Sequence, residues 1–136
     1  INPETFIQKV FSDIHIDSDY IQNFFVKSNF RDNLKVYFEL TNEDFVKTLK
    51  FFSVDFSSTV PIVIFKEFNW EKIKSEYNSQ DIRKLRLKVR KDSFYWVIKN
   101  NMPFEDLSIG FQCKIDRVPD IYNVDFWNHF TNIYIE

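Results

Sequence analysis

Residues 82–90 read IRKLRLKVR, a stretch in which basic and apolar side chains alternate. Because successive side chains of a β-strand point to opposite faces, the alternation predicts a strand. Leu85, Leu87 and Val89 are expected to face a hydrophobic core. The other face would carry four cations in one row, which are Lys84, Arg86, Lys88 and Arg90. The stretch therefore predicts a sheet with one apolar face and one strongly basic face.

The residues before this strand predict a mixture of helices and strands. Apolar side chains recur at helical spacing over residues 3–14 and again after Ser18, which indicates two helices. Residues 34–40 alternate and predict a half-buried strand, and Thr41 is expected to cap a helix that follows it. The continuous apolar run over residues 60–65 predicts a strand that is covered on both faces.

After residue 80 the pattern changes to short strands. Residues 91–93 predict a turn into a strand over residues 94–98, and residues 107–115 predict a further strand. Residues 124–135 fit either a helix or a strand. Because the alternation of helix and strand ends here, the sequence predicts an α+β fold. We expect residues 1–136 to form a single domain, with a mostly antiparallel sheet packed against several helices.

Asn69 is expected to cap a further short helix. The predicted core follows from the helical and alternating spacings of apolar residues. Ten apolar residues are expected to be buried, namely Phe6, Val10, Phe38, Phe45, Leu49, Ile62, Ile64, Leu85, Leu87 and Trp96.

Composition indicates a globular domain and excludes several functions. Hydrophobic residues make up 44% of the 136 residues and charged residues 28%, which is ordinary for a folded domain. Cys113 is the only cysteine, so no internal disulfide is expected and a reducing, cytoplasmic location is favoured. No apolar run is long enough to cross a bilayer, so no membrane contact is expected. With Gly110 as the only glycine, glycine-rich phosphate-binding loops are excluded.

Charge is distributed unevenly along the chain. Residues 81–99 carry a net charge of +5, whereas residues 1–80 carry −3 and residues 100–136 carry −4. The four cations at positions 84, 86, 88 and 90 would suit phosphates or an acidic partner, with Tyr95 or Trp96 as a stacking surface. The same cations would equally suit a solvated face that pairs with carboxylates across the sheet.

The acidic C-terminal segment is the preferred candidate for a partner-binding surface. It mixes carboxylates with two aromatic residues, a composition that suits contact with a basic protein surface. The residues are Asp116, Asp120, Tyr122, Asp125 and Trp127.

Three patterns are candidate signs of catalysis or metal binding. His15, Asp17 and Asp19 would share one face of an extended segment, although Asp17 also fits a helix cap. Cys113 and His129 would need to meet in space to act as a nucleophile and base. The third pattern, which is Asp106 followed by Gln112 and Lys114, partly resembles the magnesium site of restriction-type nucleases. It lacks their first glutamate, and Asp106 and Gln112 are only six residues apart. We expect no catalytic residue, metal, cofactor or small-molecule substrate.

The sequence therefore favours a cytoplasmic protein that acts by binding another protein. One form of this hypothesis is a bacterial immunity protein that neutralises a basic toxin domain. The alternatives are a nucleic-acid-binding module that uses the basic strand, which the net charge of −2 disfavours, and a metal-dependent nuclease.

Overall fold

The computed structural model describes residues 16–104, 107 and 113–132. Within this part of the chain, five strands form one sheet in the order β3-β2-β1-β4-β5. The strands are β1 (Leu34–Thr41), β2 (Thr48–Asp55), β3 (Ile62–Ile64), β4 (Arg83–Arg90) and β5 (Cys113–Val118). The helices are α1 (Ser18–Lys27), α2 (Trp70–Ser75), α3 (Lys91–Lys99) and α4 (Val124–Asn132).

The sheet is mostly antiparallel, and the prediction of an α+β fold is confirmed. Only the central pair, β1 and β4, runs parallel, while the β1–β2, β2–β3 and β4–β5 pairs are antiparallel. None of the helices that the structure describes is long and apolar enough to cross a membrane.

One face of the sheet packs against α1, α3 and α4 through a core rich in phenylalanine. Phe25 of α1 lies against Phe38 of β1, with 5.4 Å between ring centroids, and Phe94 of α3 lies 5.3 Å from the same ring. Phe130 of α4 completes the contact with Phe25 at 5.8 Å. Phe38, Leu85 and Leu87 are fully buried here, as their alternating spacing predicted.

The opposite face is covered in part by residues 68–75. Phe68 packs on the Tyr37 ring at 5.0 Å, and the buried Trp70 at the start of α2 lies 5.9 Å from it. The Asn69 side chain accepts the N–H of Lys72, so the predicted cap is confirmed. This cover explains why β1 is buried on both faces instead of being half-buried.

The helix predicted after Thr41 is wrong, because the chain turns there into a β-hairpin. The side-chain oxygen of Asn42 accepts the N–H groups of Val46 and Lys47 at 3.1 and 3.2 Å and so holds the turn. Phe45 adopts a φ of 60° within this turn and is not in the core. Leu49 lies exposed at the start of β2. The helix-capping pattern was therefore a turn pattern followed by a strand.

Two further expectations about the sheet are corrected. Residues 62–64 form a strand, but β3 pairs only with β2 at the edge, so Ile62 and Ile64 are exposed. Residues 94–98 belong to α3, because Phe94, Val97 and Ile98 reach the core at helical spacing. Trp96 is consequently only partly buried.

The remaining expectations concern the chain ends. Residues 124–132 are helical, and β5 occupies residues 113–118. Phe6, Val10 and the helix predicted over residues 3–14 lie outside the described residues.

Candidate functional site

The basic strand face, which is the row of Lys84, Arg86, Lys88 and Arg90 on β4, lies on the sheet face opposite the phenylalanine core. Because β4 is a central strand, these cations have neighbours on both sides. On β1 the register pairs Arg86 with Tyr37 and Lys88 with Glu39, and on β5 it pairs Arg86 with Asp116 and Lys88 with Lys114.

Arg86 is committed to a buried ion pair. Its Nε donates to Oε1 of Glu39 at 2.9 Å, and both residues are less than a tenth exposed. The second carboxylate oxygen of Glu39 accepts the hydroxyl of Thr48 at 3.4 Å. Arg86 is therefore a structural cation within the sheet and is not free to bind an outside anion.

Two more cations of the row have internal contacts. Arg90 donates from Nη2 to Asp92 at 2.7 Å, close to the start of α3. Lys84 interacts with Tyr37, whose pKa is raised by burial although the charge of Lys84 opposes the shift. Arg83, which precedes the row, pairs with Asp32.

Lys88 differs from Arg86 and Arg90, on either side of it in the row, because no carboxylate of the described residues pairs with it. Its Nζ lies 5.2 Å from the centroid of the Phe45 ring. Across the strand pair it faces Lys114, which is exposed and also lacks a carboxylate partner in the described part of the chain. Sequence reasoning did not place Lys114 beside the basic strand face, because the register of β5 is a tertiary property.

Asp116 is held on the same sheet face and takes no part in an open acidic surface. The Nε1 of Trp70 donates to one carboxylate oxygen at 2.8 Å, and Lys74 contacts the other at 3.3 Å. Burial opposes the ionisation of Asp116, but these hydrogen bonds and that of the Arg117 N–H outweigh it and lower the pKa.

Replacement of Trp70 by Phe is expected to raise the pKa of Asp116 towards its ordinary value of 3.8, because the strongest donor is removed. A carboxylate with a lowered pKa stabilises the fold above pH 3.8, and this contribution is lost as the pH falls through the folded-state value. Titration of the carboxyl carbon by NMR measures the shift. Lys74→Met should move the pKa less, since the Lys74 side chain is 45% exposed. A Trp70→Phe protein with an unchanged pKa would contradict the assignment.

The C-terminal patch, which we define as Asp120, Ile121, Tyr122, Val124 and Asp125, lies in the loop after β5 and in the first two residues of α4. All five residues are exposed, and the three apolar side chains are each about half exposed. The patch holds three of the five residues predicted to bind a partner, which are Asp120, Tyr122 and Asp125. Exposed apolar residues flanked by carboxylates fit a protein-binding surface.

Trp127 and Asp116 do not belong to this patch. Trp127 is only 6% exposed and packs edge-on against Phe126 at 5.1 Å, so it is not an exposed anchor. Sequence reasoning missed Ile121 and Val124, although two apolar residues within two positions of Tyr122 in a segment that follows Pro119 were a visible signal.

Three of the side chains with a candidate catalytic or metal-binding role are taken up by the fold, whereas Lys114 is exposed on β5. Burial raises the pKa of Cys113 to about 12, which keeps the thiol protonated at neutral pH. The Nε2 of His129 lies 2.7 Å from the carbonyl oxygen of Ser28. Asp17 caps α1 by accepting the N–H of Tyr20 at 2.9 Å. Over residues 16–104, 107 and 113–132, no three His, Cys, Asp or Glu side chains could jointly hold a metal. The predictions on His15, Asp106 and Gln112 concern residues outside the described part of the chain.

A cleft lies beside α1 and the end of α3. It has a volume of about 270 Å³ and is lined by Tyr20, Asn23, Phe24, Lys27, Ser28 and Asn101. No charged pair or reactive side chain is gathered in it, and the sequence offered no pattern that pointed there.

Comparison with known proteins relates the chain to part of a larger enzyme. No family model matches it, and no solved structure matches it. The chain is 35% identical over 116 residues to the cytidine monophosphate-N-acetylneuraminic acid hydroxylase of Sus scrofa, a match that covers 83% of this chain and 24% of the relative. The hydroxylase of Macaca mulatta is 34% identical over 119 residues, covering 87% of this chain and 18% of the relative.

The human relative carries a different description. It is named an inactive cytidine monophosphate-N-acetylneuraminic acid hydroxylase and is 33% identical over 119 residues, covering 87% of this chain and 22% of the relative. The chain thus spans about a quarter or less of the length of the curated relatives it matches.

Proposed function

We propose that this chain is a binding domain of a protein similar to the cytidine monophosphate-N-acetylneuraminic acid hydroxylases. The observation that carries the proposal is the unequal coverage of the match. More than four-fifths of this chain aligns, but at most 24% of each of these relatives does. A segment of this size has the dimensions of one domain.

The internal contacts and burial of the potentially reactive side chains support a binding role over a catalytic one. Glu39 and Asp116 are fixed in internal ion pairs, and Cys113 is held as a protonated thiol. Catalytic acids, bases and nucleophiles need to reach a substrate, whereas these groups are used to hold the sheet and its cover together.

The C-terminal patch is the surface that we assign to binding, and its occupant is a basic surface on the catalytic region of such a hydroxylase-like protein. Asp125 gives the patch a negative charge and Asp120, which pairs with Arg117 at 3.0 Å, adds a second carboxylate, while Ile121, Tyr122 and Val124 supply apolar area. Such a combination favours a partner of opposite charge by steering the encounter, with the apolar residues prolonging the contact.

The test is a binding measurement between the purified domain and the Sus scrofa hydroxylase expressed without the segment that matches this chain. We expect saturable binding by biolayer interferometry. The double change Asp120→Lys and Asp125→Lys should slow association about tenfold at low salt, because charges at the rim act on the encounter rate. Tyr122→Ala should raise the dissociation rate.

A matched control is the double change Glu43→Lys and Asp44→Lys, which alters charge equally in the exposed β1–β2 hairpin. This control should leave both rates unchanged. Equal slowing by the two double variants, no saturable binding, or turnover of cytidine monophosphate-N-acetylneuraminic acid by the isolated domain would each contradict the proposal.

The roles expected from the sequence remain predictions beside this one. A basic toxin domain would use the same C-terminal patch, and a cytoplasmic location remains consistent with the single cysteine. Nucleic-acid binding would need the basic strand face, on which Arg86 and Arg90 already have carboxylate partners.

A further inference from the structure

Lys88 of the basic strand face and Lys114 of β5 carry like charges and have no carboxylate partner among the described residues. Lys88 and Lys114 are directly opposite in the register of β4 and β5, and like charges at opposite positions destabilise a sheet. Glu39, the neighbour of Lys88 on β1, accepts from Arg86 and Thr48 and is therefore already committed. Two cations are left to repel each other.

Arg90, which follows Lys88 on β4, has a donor that no described residue uses. Arg90 follows Lys88 by two residues on the same strand face, a separation of about 6.6–6.8 Å between their backbones. Its Nη2 binds Asp92, but its Nε is buried and has no hydrogen-bond partner among the described residues. A buried donor without an acceptor costs free energy of folding, so an acceptor bound at this atom would stabilise the domain.

We propose that Lys88, Lys114 and the Nε of Arg90 form a binding site for a small phosphate-type oxyanion. An oxyanion would neutralise the two ammonium groups and accept from the guanidinium, which are the charge-assisted bonds that bind phosphate in proteins. The Phe45 ring, which lies against Lys88, borders the site on the hairpin side. This site is separate from the C-terminal patch, so it stands or falls independently of the proposed docking role.

Titration of the purified domain with inorganic pyrophosphate, followed by NMR, tests the site. We expect saturable shifts at Lys88, Lys114 and Arg90. Lys88→Gln or Lys114→Gln should each weaken binding about tenfold, and the double variant should show no saturable binding. Lys66→Gln is the matched control, because Lys66 is exposed just after β3, at the opposite edge of the sheet, and should bind pyrophosphate normally.

A second measurement separates a ligand site from a merely structural role. Lys114→Glu replaces repulsion with attraction, so it should raise the melting temperature of the unliganded domain while abolishing pyrophosphate binding. A lower melting temperature with unchanged binding would overturn the proposal. Equal weakening of pyrophosphate binding by Lys66→Gln would also overturn it. So would an oligothymidylate that binds far more tightly than pyrophosphate and loses as much affinity on Lys84→Gln as on Lys88→Gln.

Discussion

Replacement of Phe25 by alanine is expected to lower the free energy of unfolding by about 3–5 kcal/mol. The Phe25 side chain is fully buried in α1 and lies at the centre of the aromatic core. Its ring lies 5.4 Å from Phe38, 6.2 Å from Phe52 and 5.8 Å from Phe130, measured between centroids. Truncation would leave a cavity bordered by aromatic rings from β1, β2 and α4. Those rings are held by close packing and cannot collapse to fill it. Urea unfolding measures the change.

Val46→Ala is the control for this prediction, because Val46 is 75% exposed in the hairpin and lies outside the core. It should change stability by no more than about 0.5 kcal/mol. If Phe25→Ala cost less than about 1 kcal/mol, the described packing of α1 on the sheet would be wrong.

Breaking the buried ion pair between Arg86 and Glu39 is expected to cost a similar amount. Arg86→Met would leave the Glu39 carboxylate buried without its partner, a change that typically destabilises a protein by about 3–5 kcal/mol. The double change Arg86→Met with Glu39→Leu should recover most of that loss, because two apolar side chains replace two desolvated charges. Chemical denaturation of the two single variants and the double variant gives the coupling energy.

The surface pair of Arg117 and Asp120 provides the contrast. The Asp120 side chain is 89% exposed, so Arg117→Met should cost no more than about 1 kcal/mol. Additive losses from Arg86→Met and Glu39→Leu, with no recovery in the double variant, would show that the pair is not coupled as its 2.9 Å contact implies.

This ion pair also bears on what the basic strand face can do. A row of four cations suggests a ribbon for polyanions when only the sequence is considered. In the sheet, Arg86 and Arg90 have carboxylate partners and Lys84 lies by Tyr37, which leaves Lys88 with Lys114 from the next strand. These two lysines are the ammonium groups of the oxyanion site that we propose above.

The wrong predictions for residues 45–49 and 62–64 have a common physical origin. The apolar spacing at Phe45 and Leu49 predicts a helix, but over so few residues it also fits a strand, and the turn formed by Asn42 decides for the hairpin. The apolar run that includes Ile62 and Ile64 predicts a buried central strand, because such runs are typical of strands covered on both faces. Whether a strand is central or at an edge depends on its partners, which local sequence does not specify.

The sequence by itself determined the features that repeat with a local period. Alternation placed Leu85 and Leu87 of β4 and Phe38 of β1 in the core, and the caps at Asp17 and Asn69 follow from side chains that satisfy nearby N–H groups. Only the tertiary structure decided which charges meet. Glu39 and Arg86 are 47 residues apart and meet because the strand order places β1 beside β4. Trp70 and Asp116 are 46 residues apart and meet because residues 68–75 cover this face of the sheet. Charge spacing along a chain is a local property, whereas the pairing of those charges depends on the register between strands.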